Sequence, residues 1–146
     1  MTRTVRLDAP VAAGVLFDYL SDPFQRPQWQ SSLRAVADVR GSGEPGSSWT
    51  DVTAVGARPH MRITAAESPR LWIERGRWRG LSAVLRLDLL GYGPARTRVR
   101  ATFRVSGVGV FALVAPLLEL AAAPAIRADL SRAVLLAAQT HAESDR

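Results

Sequence analysis

Residues 15–30 read VLFDYLSDPFQRPQWQ, an amphipathic helix that stops at a proline and then spends two large aromatics on a short, proline-punctuated segment. Val11, Val15, Leu16, Tyr19 and Leu20 fall at helical spacing, and Pro10, just after Asp8 and Ala9, suits a first helical position. Ser21-Asp22-Pro23 ends this helix, because the residue before a proline is pushed out of the α region. The following FQRPQWQ has room for one or two helical turns. Phe24 and Trp29 on so small an element need an apolar partner, so the segment should lie across the body of the domain.

Upstream, RTVRLDAP alternates Val5 and Leu7 against Arg6 and Asp8, the pattern of an edge strand with one buried face. Downstream, short runs rich in Val, Ile, Thr and Trp are separated by Gly, Pro and Ser, as in consecutive antiparallel strands. The expected strands are Leu33 to Arg40, Ser47 to Val55, Arg58 to Glu67, Arg70 to Gly76, Leu81 to Leu90 and Thr97 to Ser106. The connections between them are short enough for hairpins.

In the last two strands the buried face is plain. Leu81, Ala83, Leu85, Leu87 and Leu89 alternate with Ser82, Arg86 and Asp88, and Val99, Ala101, Phe103 and Val105 with Arg98, Arg100 and Arg104. After SGVG the period becomes helical. Val110, Leu113, Leu117 and Leu120 are expected to line one face of a long helix, continued by Ile126, Leu130, Val134 and Ala137. Pro116 either sits near its start or kinks it, and Pro124 should kink or interrupt it.

The 146-residue length suits one domain, spanning residues 1–146 and able to bury about two thirds of its unfolded surface. A 47% hydrophobic and 22% charged composition argues against disorder. The net charge of +6 invites a nucleic-acid or anionic-surface partner. However, all 19 basic residues are Arg and they are scattered, as in RTRVRATFR (96–104), which is the wet side of a strand. No nucleic-acid partner is expected on this ground. With no Cys, a disulfide, a thiol nucleophile and a Cys-ligated metal are excluded, and His60 and His141 alone make zinc unsuitable, so no metal or cofactor is expected. The N-terminus has no apolar signal core. The longest apolar run, near residues 108–126, contains Glu119 and two prolines and reads as a buried helix of a cytoplasmic protein rather than a transmembrane segment.

The order strand, two short helices, six-strand meander, long C-terminal helix resembles the helix-grip fold of the START-like (SRPBCC) superfamily. VRLDAPVAAGVLFDYLSDPFQRPQW (5–29) is similar to the opening of its bacterial polyketide cyclase/dehydrase and lipid-transport members. The shared features are the strand ending in AP, the helix end VLFDYLSD and the PQW that follows; ESPRLWIERG and GPARTRVRATFRVSG resemble that family's later strands. The resemblance implies an α+β fold in which a curved antiparallel sheet of about seven strands wraps the C-terminal helix. A cavity would lie between them, closed by the two short helices, with Phe24 and Trp29 at its rim. It identifies architecture better than reaction.

Such a cavity needs apolar walls and a few polar groups. Parity places Met61 and Ile63, and Leu71 and Ile73, inward, and with them Arg75, which would meet a carboxylate, phenolate or enolate and could stabilise an oxyanion. Gly76 permits a bulge that would turn Arg75 to water, and both readings stand open. Trp72 and Glu74 fall on the wet parity. Trp49 and Asp51 share a parity with Thr53 and Val55, but Val52 and Ala54 make the other face nearly as apolar, so that register stays open, an exposed strand Asp being the default. Tyr92 lies in the hairpin LGYGPA, where it would cap the cavity mouth or pack on the turn. His60 is expected on the outer face.

The expected ligand-binding set is therefore Phe24, Trp29, Trp49, Met61, Ile63, Ile73, Arg75, Leu85, Leu87, Phe103, Leu113, Leu117 and Leu120. Arg75, Asp51 and Tyr92 are the catalytic candidates. Three functions follow: binding of a hydrophobic or aromatic small molecule of lipid or polyketide type; a cofactor-independent aromatase/cyclase or dehydratase; or an Arg-rich surface meeting an acidic partner. A monomer and a homodimer are both compatible with the sequence.

Overall fold

The computed structural model describes residues 2–146. Strand β1 (Arg3–Ala9) is followed by α1 (Ala13–Ser21), a single 3-10 turn (Pro23–Gln25) and the one-turn α2 (Arg26–Trp29). The strands β2 (Leu33–Arg40), β3 (Ser48–Thr53), β4 (His60–Glu67), β5 (Leu71–Trp78), β6 (Leu81–Gly91) and β7 (Thr97–Gly107) precede α3 (Phe111–Ser144). They form one antiparallel seven-stranded sheet in the order β1-β7-β6-β5-β4-β3-β2. The meander is closed by β1 pairing with β7, so only the sides of β1 and β2 are left as edges. This is the α+β helix-grip arrangement that the pattern of elements implied.

Local differences have physical causes. Helix α1 starts at Ala13 rather than Pro10; Val11 is still buried, and its carbonyl accepts from the Thr97 hydroxyl at 2.7 Å, which holds the entry to the helix against β7. Asp22, just past the last residue of α1, caps the next turn: its Oδ1 accepts from the Phe24 backbone N–H at 3.0 Å, and the Pro23 that ends α1 opens that turn. Strand β5 runs on to Trp78, so its hairpin to β6 is the tight Arg79-Gly80. In β4 the pairing with β5 slips between Ile63 and Ala65, one bulge that lets this strand bend.

Helix α3 packs on β7 and β1 and runs through both prolines without a break. The side chain of Glu119 fixes its rotation: it is buried and accepts from the Val105 backbone N–H at 3.0 Å, with Arg3 3.9 Å away. Consequently the stripe facing the sheet is Ala115, Glu119, Ala122, Ile126, Leu130, Ala133 and Ala137, mostly small residues.

The start of α3 rests on bare backbone. A Cβ at Gly107 would lie 2.9 Å from the Ala112 nitrogen and closer still to the Phe111 carbonyl. Gly107→Ala is therefore expected to lower unfolding free energy by about 1–3 kcal/mol, as overpacking does, because backbone cannot swing aside as a side chain can. Urea denaturation checks it; a midpoint equal to wild type would contradict this packing.

Candidate functional site

Alternation along β3 turns Trp49 and Asp51 inward, and along β5 it turns Trp72, Glu74 and Gly76 inward. Trp49 Nε1 donates to Asp51 Oδ1 at 2.8 Å, which explains the pairing of a buried indole with a carboxyl two residues on. From α2, Arg26 enters the same interior. Its guanidinium carbon is 5.3 Å from the Trp29 ring centroid and 5.0 Å from that of Trp49, a cation held between two π faces. Arg26 Nη2 donates to Glu74 Oε1 at 3.2 Å and to Gln30 Oε1 at 2.9 Å; Glu74 Oε2 lies 3.1 Å from the same nitrogen as an ion pair without an aligned N–H. Arg26, Asp51 and Glu74 are exposed by only 3%, 3% and 2%.

A second buried carboxyl, Asp51, thus lies near the Arg26–Glu74 pair, away from water. Burial pushes Asp51 above the usual carboxylate range, against the opposing pull of Arg26 and the Trp49 hydrogen bond. Burial pushes Glu74 up as well; Arg26 opposes this, while the charge on Asp51 adds to it. Both carboxyls are thus raised by burial, and of the two it is Glu74 that is hydrogen-bonded to Arg26.

Around this cluster the interior is divided into separate spaces. A cavity of about 330 Å³ lies between α3 and β4–β6, its walls including Met61, Trp78, Leu81, Ala83, Leu118 and Ala122, with Asp51 as its one carboxyl. Small residues carve it: Gly76, Ala83 and Ala122 stand where larger ones would fill it, and a Cβ at Gly76 would come 2.7 Å from Met61 Sδ. A groove of about 400 Å³ runs between the end of α1 and the β2–β3 connection. A third space of about 70 Å³ adjoins Arg26, Trp29, Leu85, Ile126 and Leu130; Arg26 Nε and Trp29 Nε1 are both buried without an acceptor among the described residues.

The expected residues are thereby redistributed. Phe24 stands at the groove rim, with Trp49 and Ile63 in its wall; Met61 lines the 330 Å³ cavity; Trp29 and Leu85 line the smallest space. Leu87 and Phe103 are packed core residues that border none of these spaces. Asp51 faces inward, against the default.

The inward placement of Ile73 is corrected, and of the two open readings of Arg75 the outward one holds, through parity and not through a bulge, since β5 stays in register with β6 past Gly76. Burying the other face of β5 brings in Trp72, Gly76 and the single charge of Glu74, whereas the opposite choice would bury both Arg75 and Arg77. Arg75 stands on the outer face directly across from Arg62, beside His60 and Arg77. Tyr92 stays on its turn, with the Arg98 guanidinium 5.2 Å from its ring centroid, and does not reach the cavity. Leu113, Leu117 and Leu120 point to solvent, because Glu119 turns the opposite side of α3 to the sheet.

No protein-family model matches the sequence, and no curated protein is significantly similar to it. Solved structures share its fold. The Zhui aromatase/cyclase from Streptomyces sp. R1128 superposes with a TM-score of 0.74 at 14% identity, over 95% of each chain. Protein MLL2253 from Mesorhizobium loti does so with a TM-score of 0.75 at 14% identity, over 96% of this chain and 98% of its own. A START superfamily protein from Mycobacterium smegmatis matches with a TM-score of 0.64 at 13% identity, over 88% of this chain and 97% of its own. The fold is that of the START-like proteins.

Proposed function

We propose that residues 1–146 form a single domain that binds a hydrophobic or aromatic small molecule, lipid- or polyketide-like, in the cavity between α3 and β4–β6. The observation that carries this reading is an apolar space of about 330 Å³ with one buried carboxyl, Asp51, in its wall. Its size lies in the range of small-molecule sites, which pair apolar walls with a few polar groups. Asp51 Oδ1 is taken by Trp49, which leaves Oδ2 to meet a hydroxyl or carbonyl of the ligand. Likeness of fold to an aromatase/cyclase and a START superfamily protein supports the ligand class.

Native mass spectrometry of freshly purified protein, followed by extraction, tests for a bound molecule. Titration with emodin or palmitate, followed by the change in tryptophan emission that Trp78→Phe removes, tests the site directly. Ala83→Trp, which fills the cavity from β6, is expected to weaken binding by at least ~10-fold while leaving the melting curve cooperative. Equal affinity in this variant would place the ligand elsewhere.

A second reading is a cofactor-independent cyclase or dehydratase. The raised Asp51 carboxyl favours it, since a neutral acid in an apolar cavity can protonate a carbonyl or a departing hydroxyl. Loss of turnover with retained binding in Asp51→Asn would separate catalysis from carriage.

A further inference from the structure

Helix α3 is apolar on all sides through its first half. Residues 111–126 contain one charged residue, Glu119, and that side chain is turned into the protein. On the opposite side Leu113 and Leu117 are 78% and 66% exposed, and Leu120 and Pro124 continue the same ridge at helical spacing. Val114 and Leu118 flank it, and Val108 and Val110 extend it into the preceding turn. A helix that is apolar all round is normally covered, and contiguous exposed patches of this size mark an interaction surface.

We propose that two copies of this chain associate through the first halves of their α3 helices. Three observations select a second copy as the occupant. From Val108 to Leu120 seven large apolar side chains, each between 41% and 78% exposed, follow one another along a single helix and the turn before it, a self-complementary strip that a second copy can cover end to end. The ridge is uncharged, so two molecules of net charge +6 can meet there without opposing like charges. Most of the basic residues are elsewhere: Arg62, Arg75, Arg77, Arg86, Arg98, Arg100 and Arg104 are exposed, and their strand parity places them on the face of the sheet away from α3, whereas Arg3, paired with the inward-turned Glu119, and Arg79, in the turn against Phe111, stand at the margin of the ridge. A pairing of α3 ridges holds the two positive faces apart. A surface built for an anionic bilayer would instead ring the apolar patch with arginines, whereas α3 has none before Arg127 and the sheet turns most of its own away from the helix. An isologous, two-fold contact of antiparallel helices lets each ridge meet its own copy.

The pairing bears on the cavity as well. Leu118 belongs both to the exposed patch and to the wall of the 330 Å³ space, so the partner's helix would cover the open mouth between α3 and β5–β6. This second consequence rests on the proposed ligand site, whereas the association does not.

Sedimentation velocity of the ligand-free protein over ~1–100 µM, in parallel with Leu117→Glu, tests the association. The wild type is expected to sediment at twice 15.8 kDa and the variant as a monomer with unchanged circular dichroism, since Leu117 is already open to solvent in the single chain. A wild type that stays monomeric at the highest concentration overturns the proposal, and a dimer that survives Leu117→Glu overturns this interface. Wild-type monomer that co-sediments with phosphatidylglycerol/phosphatidylcholine vesicles assigns the face to a bilayer instead. Emodin titration of the Leu117→Glu monomer reads the cavity separately, so failure of pairing and failure of ligand binding are told apart.

Discussion

Arg26→Ala is expected to cost about 3–5 kcal/mol of folding stability, the penalty for removing one partner of a buried ion pair. The loss has three parts. Glu74, 2% exposed, would keep no counter-charge and would have to take up a proton to remain inside. Gln30 Oε1 would lose the donor that reaches it at 2.9 Å. Trp29 and Trp49, which hold the guanidinium between them, would face an empty space. For a chain of this size the melting temperature should fall by roughly 10 °C.

The double variant Arg26→Met, Glu74→Leu separates pairing from packing. Both charges are gone and apolar volume is kept, so most of the lost stability should return. Thermal and urea unfolding of the three proteins make the comparison. If the single variant lies within about 1 kcal/mol of wild type, the ion pair is not dehydrated in solution and the charged core described above is wrong.

The elements of this fold were legible because each turn carries its own chemistry: Pro23 after Asp22, the glycines around the β2–β3 connection, and the change of period after Gly107. The interior of β6 and β7 was legible too, since Leu85, Leu87 and Phe103 alternate cleanly with arginines. Strand β5 was not, because LWIERGRW has large apolar residues on both parities. The telling signal was the charge count: one face would bury Glu74 alone, the other both Arg75 and Arg77. In α3 the signal was again a single charge. Leu113, Leu117 and Leu120 form the more hydrophobic stripe, yet a helix apolar all round has no phase, and the backbone N–H of Val105 awaiting Glu119 supplies it. Arg26 escaped notice because nothing in RPQW foretells its partner 48 residues away; only the sheet brings Glu74 to it.

Asp51→Asn is expected to stabilise the protein, and by more as pH rises. The carboxyl has a folded-state pKa above its unfolded one, with burial the main cause. A raised acid binds its proton more tightly in the folded state, so its contribution to stability is fully present below the unfolded pKa and is lost as pH rises through the folded pKa. Glu74, raised in the same direction, adds to the trend. Wild-type stability should therefore decline from the ordinary carboxylate range upward, opposite to the usual loss of stability on acidification. An asparagine keeps the acceptor for Trp49 Nε1 and carries no charge, which removes one of the two titrations and eases the other, because Glu74 no longer faces a second carboxylate. At pH 8 the variant should melt several degrees above wild type, and near pH 4 the two should nearly coincide. Parallel curves at all pH values would mean that Asp51 stays ionised and solvated when folded. In that case it could not serve as the neutral polar contact of an apolar ligand, and the proposed site would lose the group that orients what it binds.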